Sequence, residues 1–484
     1  MTQGQIISVV LLSLYYTVVI VFCFRILLEN KNPLKTQSYL LLMVLLPIIG
    51  MMIYLVFGVN YRKQKMYSRK GFSDQKIIQR WINDYANLLK NSAHDVQEFL
   101  NEKAKLPFLF WRNNYSAMSS NNDVRIFKNG ESKFPVLLDS LQNAKHHIHL
   151  EYYIFDDDEI GNLIIDVLCN RAQSGIEVRM IVDALGSNNI DKKTIKRLKL
   201  SGVEFYEYHP VLFTSLANRV NYRDHRKIVV IDGEFGFVGG INIADRYINN
   251  GKYDLYWRDT HCLISGEAVY SLQVLFILNW YFVSKKLIQP EIEYFPVIDR
   301  KGDVLTAIIS SDPDSDNPNL MEGYFSMINT AREEILIITP YFIPNESVLT
   351  ALKTCAKGGV KVKLLMPEQP DSVFVHSASL TYMGELLRND IQVYLYKKGM
   401  IHAKVMIIDE ELSTIGTANM DYRSFDNNAE VNAVFFDQEL ARELKVQFLE
   451  DLKDAERLDY LGWKSRPLRI KLIGSFGRLV APLL

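Results

Sequence analysis

One pattern of five residues occurs twice in this chain, and it constrains the fold more than any other feature. The stretch "HRKIVVIDGEFGFVGGIN" starts at His225 and "HAKVMIIDEELSTIGTAN" at His402; each sets a Lys two, an Asp seven, a Gly fourteen and an Asn seventeen positions after its His. A given His would meet the Lys and Asp offsets by chance roughly a few times in a thousand, and two hits with matching Gly and Asn are far rarer. On a strand, His225 and Lys227 point to one face, as do His402 and Lys404, because side chains alternate with period two. The Gly and Asn follow a turn, on what reads as a second strand whose glycine permits close backbone approach. Asn242 and Asn419 then reach the pocket of their own His and Lys.

The surroundings of the pattern repeat as well. "HHIHLEYYIF" and "EEILIITPYFIP" read as buried strands, each followed by a helical segment and a new strand, "SGIEVRMIVD" from Ser174 and "GGVKVKLLMP" from Gly358. "GVEFYEYHP" from Gly202 matches "DIQVYLYKKG" from Asp390, and each leads into its His. The same order of elements, repeated about 180 residues apart, predicts a duplicated α/β build with helices packed on sheets rather than a solenoid. "QPEIEYFPVIDRKGD", with two prolines, a glycine and mixed charge, reads as the connector. The divisions expected are a first half over 72–288, a linker over 289–302 and a second half over 303–465.

Ahead of these halves, residues 1–71 read as a membrane segment. No charge occurs from Ile6 to Phe24, and an apolar stretch resumes from Tyr39 to Val59; each is long enough to cross a hydrocarbon core about 30 Å thick. A two-helix transmembrane hairpin is expected. A cleaved signal peptide is disfavoured by the absence of preceding cations, the length of the stretch and the lack of a small-residue cleavage site. Arg62, Lys63, Lys65, Arg69 and Lys70 outnumber Arg25, Lys31 and Lys35, which puts the C-terminal halves in the cytoplasm. The basic cluster also suits anionic headgroups. At the other end, "RPLRIKLIGSFGRLVAPLL" over 466–484 is basic and apolar together, as in an amphipathic tail that binds a surface or packs on the domain.

A net charge of -1 gives no general reason to bind a polyanion, so no nucleic-acid partner is expected. Cys23, Cys169, Cys262 and Cys355 lie far apart, without metal-ligand spacing, and fit a reducing compartment. The "HHIH" run from His146 would send neighbouring rings to opposite faces of a strand, a weak arrangement for zinc.

Two imidazoles can divide phosphodiester chemistry between them. One attacks phosphorus to give a phosphohistidine; the other, protonated, donates to the departing alkoxide and later takes the proton of the incoming hydroxyl. Two lysines and two asparagines supply donors to the non-bridging oxygens as charge builds. This chemistry calls for no metal and no cofactor.

The doubled HxKxxxxD followed by GGxN or GTxN resembles the phospholipase D superfamily. The closer resemblance is to the bacterial cardiolipin synthases of that type, through "LPIIGMMIYLVFG", "NYRDHRKIVVIDG", "YWRDTH", "TPYFIP", "IHAKVMIID" and "GTANMDYRSF", nearly end to end. The resemblance implies two similar α/β/α sandwich halves meeting at one active site, to which each half gives one histidine. It implies His225 as nucleophile and His402 as general acid and base, an assignment the residues alone leave open. Lys227, Lys404, Asn242 and Asn419 would hold phosphoryl oxygens, and Glu430 and Asp259 would orient the imidazoles. Asp232 and Asp409 complete the catalytic motifs, though at strand ends they read as anchors. Tyr341 lines the pocket or belongs to the core. Asp224, Asn427 and Ala429 depart from the family pattern, which bears on headgroup preference. The reaction implied moves a phosphatidyl group from one phosphatidylglycerol to another, giving cardiolipin and glycerol, at a bacterial cell membrane. Alternatives are another phosphatidyltransferase, a hydrolytic phospholipase D, a nuclease, which the membrane hairpin opposes, or a lipid-binding scaffold, which two complete motifs oppose.

Overall fold

The computed structural model describes residues 2–29, 33–55, 105–467 other than 115, 117, 209–221, 290, 314, 316 and 370, and residue 478. The end of the second expected membrane span at Val59, the basic cluster from Arg62 to Lys70 and most of the tail lie outside the described residues.

Eight strands belong to the first half: β1 (Asn122–Lys128), β2 (His147–Tyr152), β3 (Glu177–Asp183), β4 (Glu204–Tyr208), β5 (Lys227–Ile231), β6 (Phe235–Gly239), β7 (Tyr256–Arg258) and β8 (Thr260–Gly266). The second half has β9 (Leu305–Ser311), β10 (Glu334–Ile338), β11 (Phe342–Ile343), β12 (Lys361–Pro367), β13 (Gln392–Tyr396), β14 (Gly399–Ile401), β15 (Val405–Ile408), β16 (Leu412–Gly416), β17 (Met420–Asp421), β18 (Glu430–Phe436) and β19 (Ala455–Arg457). The first sheet runs β1-β8-β6-β5-β2-β3-β4 and the second β19-β13-β12-β10-β15-β16-β18-β9. Read from opposite ends these are one order, with β19 added at an edge. In each, three consecutive strands are parallel, β2-β3-β4 and β10-β12-β13, and the motif strands β5 and β15 join antiparallel. The repeat in sequence is therefore a repeat in topology.

Both sheets are covered on both faces, which explains why β15, and β5 after Lys227, are apolar without a break. Val229 and Ile231 enter the first half's own core, whereas Ile228 and Val230 enter a core shared with Val405, Ile407, Ile415 and Val431 of the second half. Met406 and Ile408 face the second half's own core. The shared apolar layer packs the two halves against one another. The residues ahead of β1 also lie against the second half: Leu106, Phe110 and Met118 join its core, and Ser119 bridges Thr306.

Each motif Asp closes the hairpin after its strand. Asp232 and Gly233 both have positive φ, at 55° and 67°, as do Asp409 and Glu410 at 52° and 53°, the backbone a tight hairpin turn requires. An aspartate tolerates this region, and its carboxylate has a second task. Asp232 accepts the backbone N–H groups of Lys145, His146 and His147, and Asp409 those of Arg332, Glu333 and Glu334, at 2.7–3.0 Å. Each thus pins the start of the neighbouring strand.

The N-terminal helix Gln3–Glu29 carries a 26-residue apolar stretch, Gln3–Leu28, long enough to cross a membrane. The second apolar stretch departs from a single straight span. It forms Pro33–Leu45 and Pro47–Ile53, broken at Leu46, whose φ of -138° and ψ of 70° follow from the clash a proline imposes on the residue before it. Ile26, Tyr39, Met43 and Tyr54 pack these helices together, with Tyr54 edge-on to Phe22 and Tyr39.

Candidate active site

The two halves exchange backbone and side-chain contacts in a matched pair. The N–H of His225 donates to the carbonyl of Ala429 at 2.9 Å, and the N–H of His402 to that of Arg258 at 2.7 Å. β14 lies parallel to β7 across the junction, and Asp224 bridges Ala429. The residue after each accepting carbonyl is an acid. His225 Nδ1 lies 2.9 Å from Glu430 Oε2, and His402 Nδ1 lies 2.7 Å from Asp259 Oδ2. Each imidazole is therefore held by a carboxylate of the opposite half. With Nδ1–H donating to the carboxylate, Nε2 carries the free lone pair.

The carboxylates are held in turn, by different means. Glu430 accepts from Thr417 Oγ1 at 2.6 Å and Asn428 Nδ2 at 3.2 Å. Asp259 accepts the N–H of Thr260 at 2.7 Å, and a Cβ at Gly240 would stand 2.1 Å from its Oδ1. The one clear difference between the motifs, GGIN against GTAN, follows: the first half must leave room for its aspartate, and the second supplies a hydroxyl to its glutamate.

His225, His402, Asn242 and Asn419 line one cleft of about 480 Å³, together with Tyr153, Tyr247, Trp257, Tyr341, Asp371 and three arginines, Arg223, Arg246 and Arg423. Tyr341 thus belongs to the cleft, its hydroxyl donating to Asp371. Asn242 is fixed by the N–H of Ile154 at 3.2 Å and the Tyr247 hydroxyl at 2.8 Å. Asn419 keeps a buried Oδ1 without a hydrogen-bond partner among the described residues. Lys227 Nζ donates to the carbonyl of His225 at 2.7 Å; Lys404 Nζ donates to that of His402 and lies 3.0 Å from both nitrogens of its ring. Asp232 and Asp409 stay at their hairpins, outside the cleft lining, where their carboxylates are spent on backbone N–H groups.

The family comparisons agree with this architecture. The family model described as the PLD-like domain of cardiolipin synthase matches residues 137–267 and 324–452, and one described as phospholipase D-nuclease N-terminal matches 16–58. A cardiolipin synthase from Geobacillus sp. (strain WCH70) is 40% identical over 467 residues, covering 96% of this chain and 92% of that protein. The major cardiolipin synthase ClsA of Bacillus subtilis (strain 168) is 37% identical over 489 residues, covering 99% and 100%. The chain belongs to the cardiolipin synthase family. Among solved structures, a phosphatidylserine synthase from Haemophilus influenzae Rd KW20 aligns over 78% of this chain and 100% of its own with a TM-score of 0.60 at 15% identity, a likeness of fold.

Within this family member, the departures from pattern, Asp224, Asn427 and Ala429, are buried and lie outside the cleft lining. Asp224 accepts from Asn279 Nδ2 at 2.9 Å, and burial pushes its carboxyl up to about 6. Ala429 supplies the carbonyl that receives His225. Sequence reasoning missed Thr417, Asn428, Tyr153, Trp257, Asp371 and the cleft arginines. The arginines had a signal, since Arg246 and Arg423 each follow their motif Asn by four positions.

Burial sets the protonation of the site. It lowers His225 to about 4 against the pull of Glu430, and it lowers His402, with Lys404 adding to the effect and Asp259 opposing it. It brings Lys227 down to about 7 and Lys404 to about 8. Burial alone would raise Glu430, but His225, Lys227 and Thr417 outweigh it and keep the carboxyl below its ordinary value. The free site near neutrality thus holds neutral imidazoles, an ionised Glu430 and lysines close to losing their protons. An arriving phosphodiester anion favours protonation of both lysines and of one imidazole. Since kcat/KM reports the free enzyme's groups, it should fall as pH rises past the lowered value of His402, because one imidazole must gain a proton, fall further through about 7 to 8, where the lysines lose charge, and fall on the acid side toward pH 4, where His225 protonates. A kcat/KM profile that stays flat to pH 9 would contradict charged lysines as phosphate donors.

Proposed function

We propose that this chain is a membrane phosphatidyltransferase that converts two phosphatidylglycerol molecules to cardiolipin and glycerol. The observation that carries the reading is the pair of imidazoles in one cleft, each with Nδ1 tied to a carboxylate of the other half. His225 Nε2 attacks phosphorus; the bond to the glycerol oxygen breaks, and His402 gives that oxygen a proton. His402 then takes the proton of a second phosphatidylglycerol's hydroxyl as its oxygen displaces His225 from phosphorus. One phosphodiester replaces another, so no nucleotide enters. Lys227, Lys404, Asn242 and Asn419 stabilise the charge that develops on the non-bridging oxygens. Purified full-length protein in phosphatidylglycerol vesicles should release glycerol and cardiolipin in equal amounts. Phosphatidic acid as the main product would replace this reading with a hydrolytic phospholipase D.

Residues 1–71 serve, in this reading, as a membrane anchor crossing the bacterial cell membrane twice, with the halves at 72–288 and 303–465 on the cytoplasmic side. The apolar helix Gln3–Glu29 and the cations from Arg62 to Lys70 support it. The phosphohistidine does not distinguish water from a lipid hydroxyl, so acceptor choice depends on holding the cleft where the lipid hydroxyl is concentrated. Deleting residues 1–70 should lower the ratio of cardiolipin to phosphatidic acid, measured on the same vesicles. An unchanged ratio would assign acceptor choice to the cleft and leave the hairpin as an anchor alone.

A further inference from the structure

The two substrates of the proposed reaction differ in one respect that the cleft must register. The donor brings a single phosphate, the one attacked, and its leaving group is plain glycerol. The acceptor brings a hydroxyl and, one glycerol away, a second phosphate that never reacts. That second anion needs its own cation, on the side of the cleft where the acceptor oxygen enters.

In-line displacement puts the entering and leaving oxygens opposite His225, hence beside His402. On that side Trp257 and Tyr247 stand edge-on to the His402 ring, with centroids 5.7 and 6.3 Å away. The guanidinium carbon of Arg246 lies 5.4 Å from the Trp257 ring and 5.7 Å from the Tyr247 ring, so the two aromatics link His402 to Arg246. Arg246 lines the cleft, its side chain 30% exposed, and its nearest paired carboxylate, Asp156, stands 3.9 Å off. Its buried Nε has no hydrogen-bond partner among the described residues. Of the acids lining the cleft, Asp371 is engaged by the hydroxyl of Tyr341 and Asp421 by the N–H of Ser424. The other cleft arginines are placed differently. Arg223 grips Asp183 through two nitrogens, at 2.9 and 2.7 Å, and Arg423 lies on the short helix Tyr422–Asp426 that precedes Glu430, its carbonyl accepting the backbone N–H groups of Asn427 and Asn428.

We infer that Arg246, shelved on Trp257 and Tyr247, binds the unreacting phosphate of the acceptor lipid and so delivers that lipid's hydroxyl to His402. A planar guanidinium suits a phosphate that is held through two parallel hydrogen bonds. The inference rests on the phosphatidyltransferase reading and names the acceptor subsite within it.

The test lets two acceptors compete for one phosphatidyl-enzyme. Full-length protein in phosphatidylglycerol vesicles is supplied with radiolabelled free glycerol, which has the hydroxyl but no phosphate. Cardiolipin and label exchanged into phosphatidylglycerol are measured together. In Arg246→Gln the ratio of cardiolipin to exchange should fall roughly tenfold or more, the scale of one charge-assisted phosphate contact, chiefly through a higher KM for the lipid acceptor. Arg246→Lys, which keeps the charge without the fork, should fall between. An unchanged ratio in Arg246→Gln overturns the inference, and so does a proportional loss of both products in both variants, which would mark a role in the donor step or in folding. Wild-type protein that exchanges glycerol yet makes no cardiolipin would instead sink phosphatidylglycerol as the acceptor, and wild-type protein that makes mainly phosphatidic acid would sink the phosphatidyltransferase reading itself.

Discussion

Replacing His225 or His402 by alanine should each reduce cardiolipin formation by at least about 10⁴-fold, and the double replacement should be little worse than either alone. The non-additivity is the informative part. If the two histidines act in succession on one phosphorus, removing the first leaves nothing for the second to do. Two independent sites, one per half, would predict that each single variant keeps about half of the activity. Rates for the two single variants and the double variant, on protein whose membrane insertion matches the wild type, separate these outcomes.

The second large effect concerns the carboxylates. Glu430→Gln and Asp259→Asn keep size and most packing but remove the charge that fixes Nδ1–H on each ring, and should lower kcat roughly 10²- to 10⁴-fold, the range spanned when an imidazole loses its orienting carboxylate. The loss crosses the junction: Glu430 of the second half disables His225 of the first. Glu430→Gln carries a further signature. The carboxylate raises Lys227, which burial has brought to about 7, so without it the lysine loses its proton earlier and the alkaline fall in kcat/KM moves to lower pH. A variant with unchanged kcat would mean that backbone contacts alone orient the ring.

Much of this arrangement could be read from the chain because duplication prints the same offsets twice. The motif strands, their hairpins and the order of their neighbours follow from local pattern, and Asp232 and Asp409 at the hairpins have positions that a turn-forming residue explains. What crosses the junction was not legible in the same way. His402 lies 143 residues from Asp259 and His225 lies 205 from Glu430, and the packing of Ile228 and Val230 against the second half, with the pairing of β14 and β7, brings them together. Resemblance named those acids; no spacing rule would have. The helix Lys105–Asn114 shows the same limit, since an apolar face does not say which half it covers. The break at Leu46 had a local cause in Pro47, yet hydropathy counts the stretch as continuous. The arginines at 246 and 423 repeat in the sequence, but Arg246 acquires meaning only when the aromatic shelf beside His402 is in place.

In the proposed reaction one phosphorus passes through one imidazole between the departing and the arriving glycerol. Its stereochemical course tests this most directly. Phosphatidylglycerol made chiral at phosphorus should yield, with the full-length enzyme, cardiolipin whose configuration at the transferred phosphorus is retained, because two in-line displacements each invert it. Net inversion would mean that the acceptor hydroxyl attacks the donor directly, with no phosphohistidine between them.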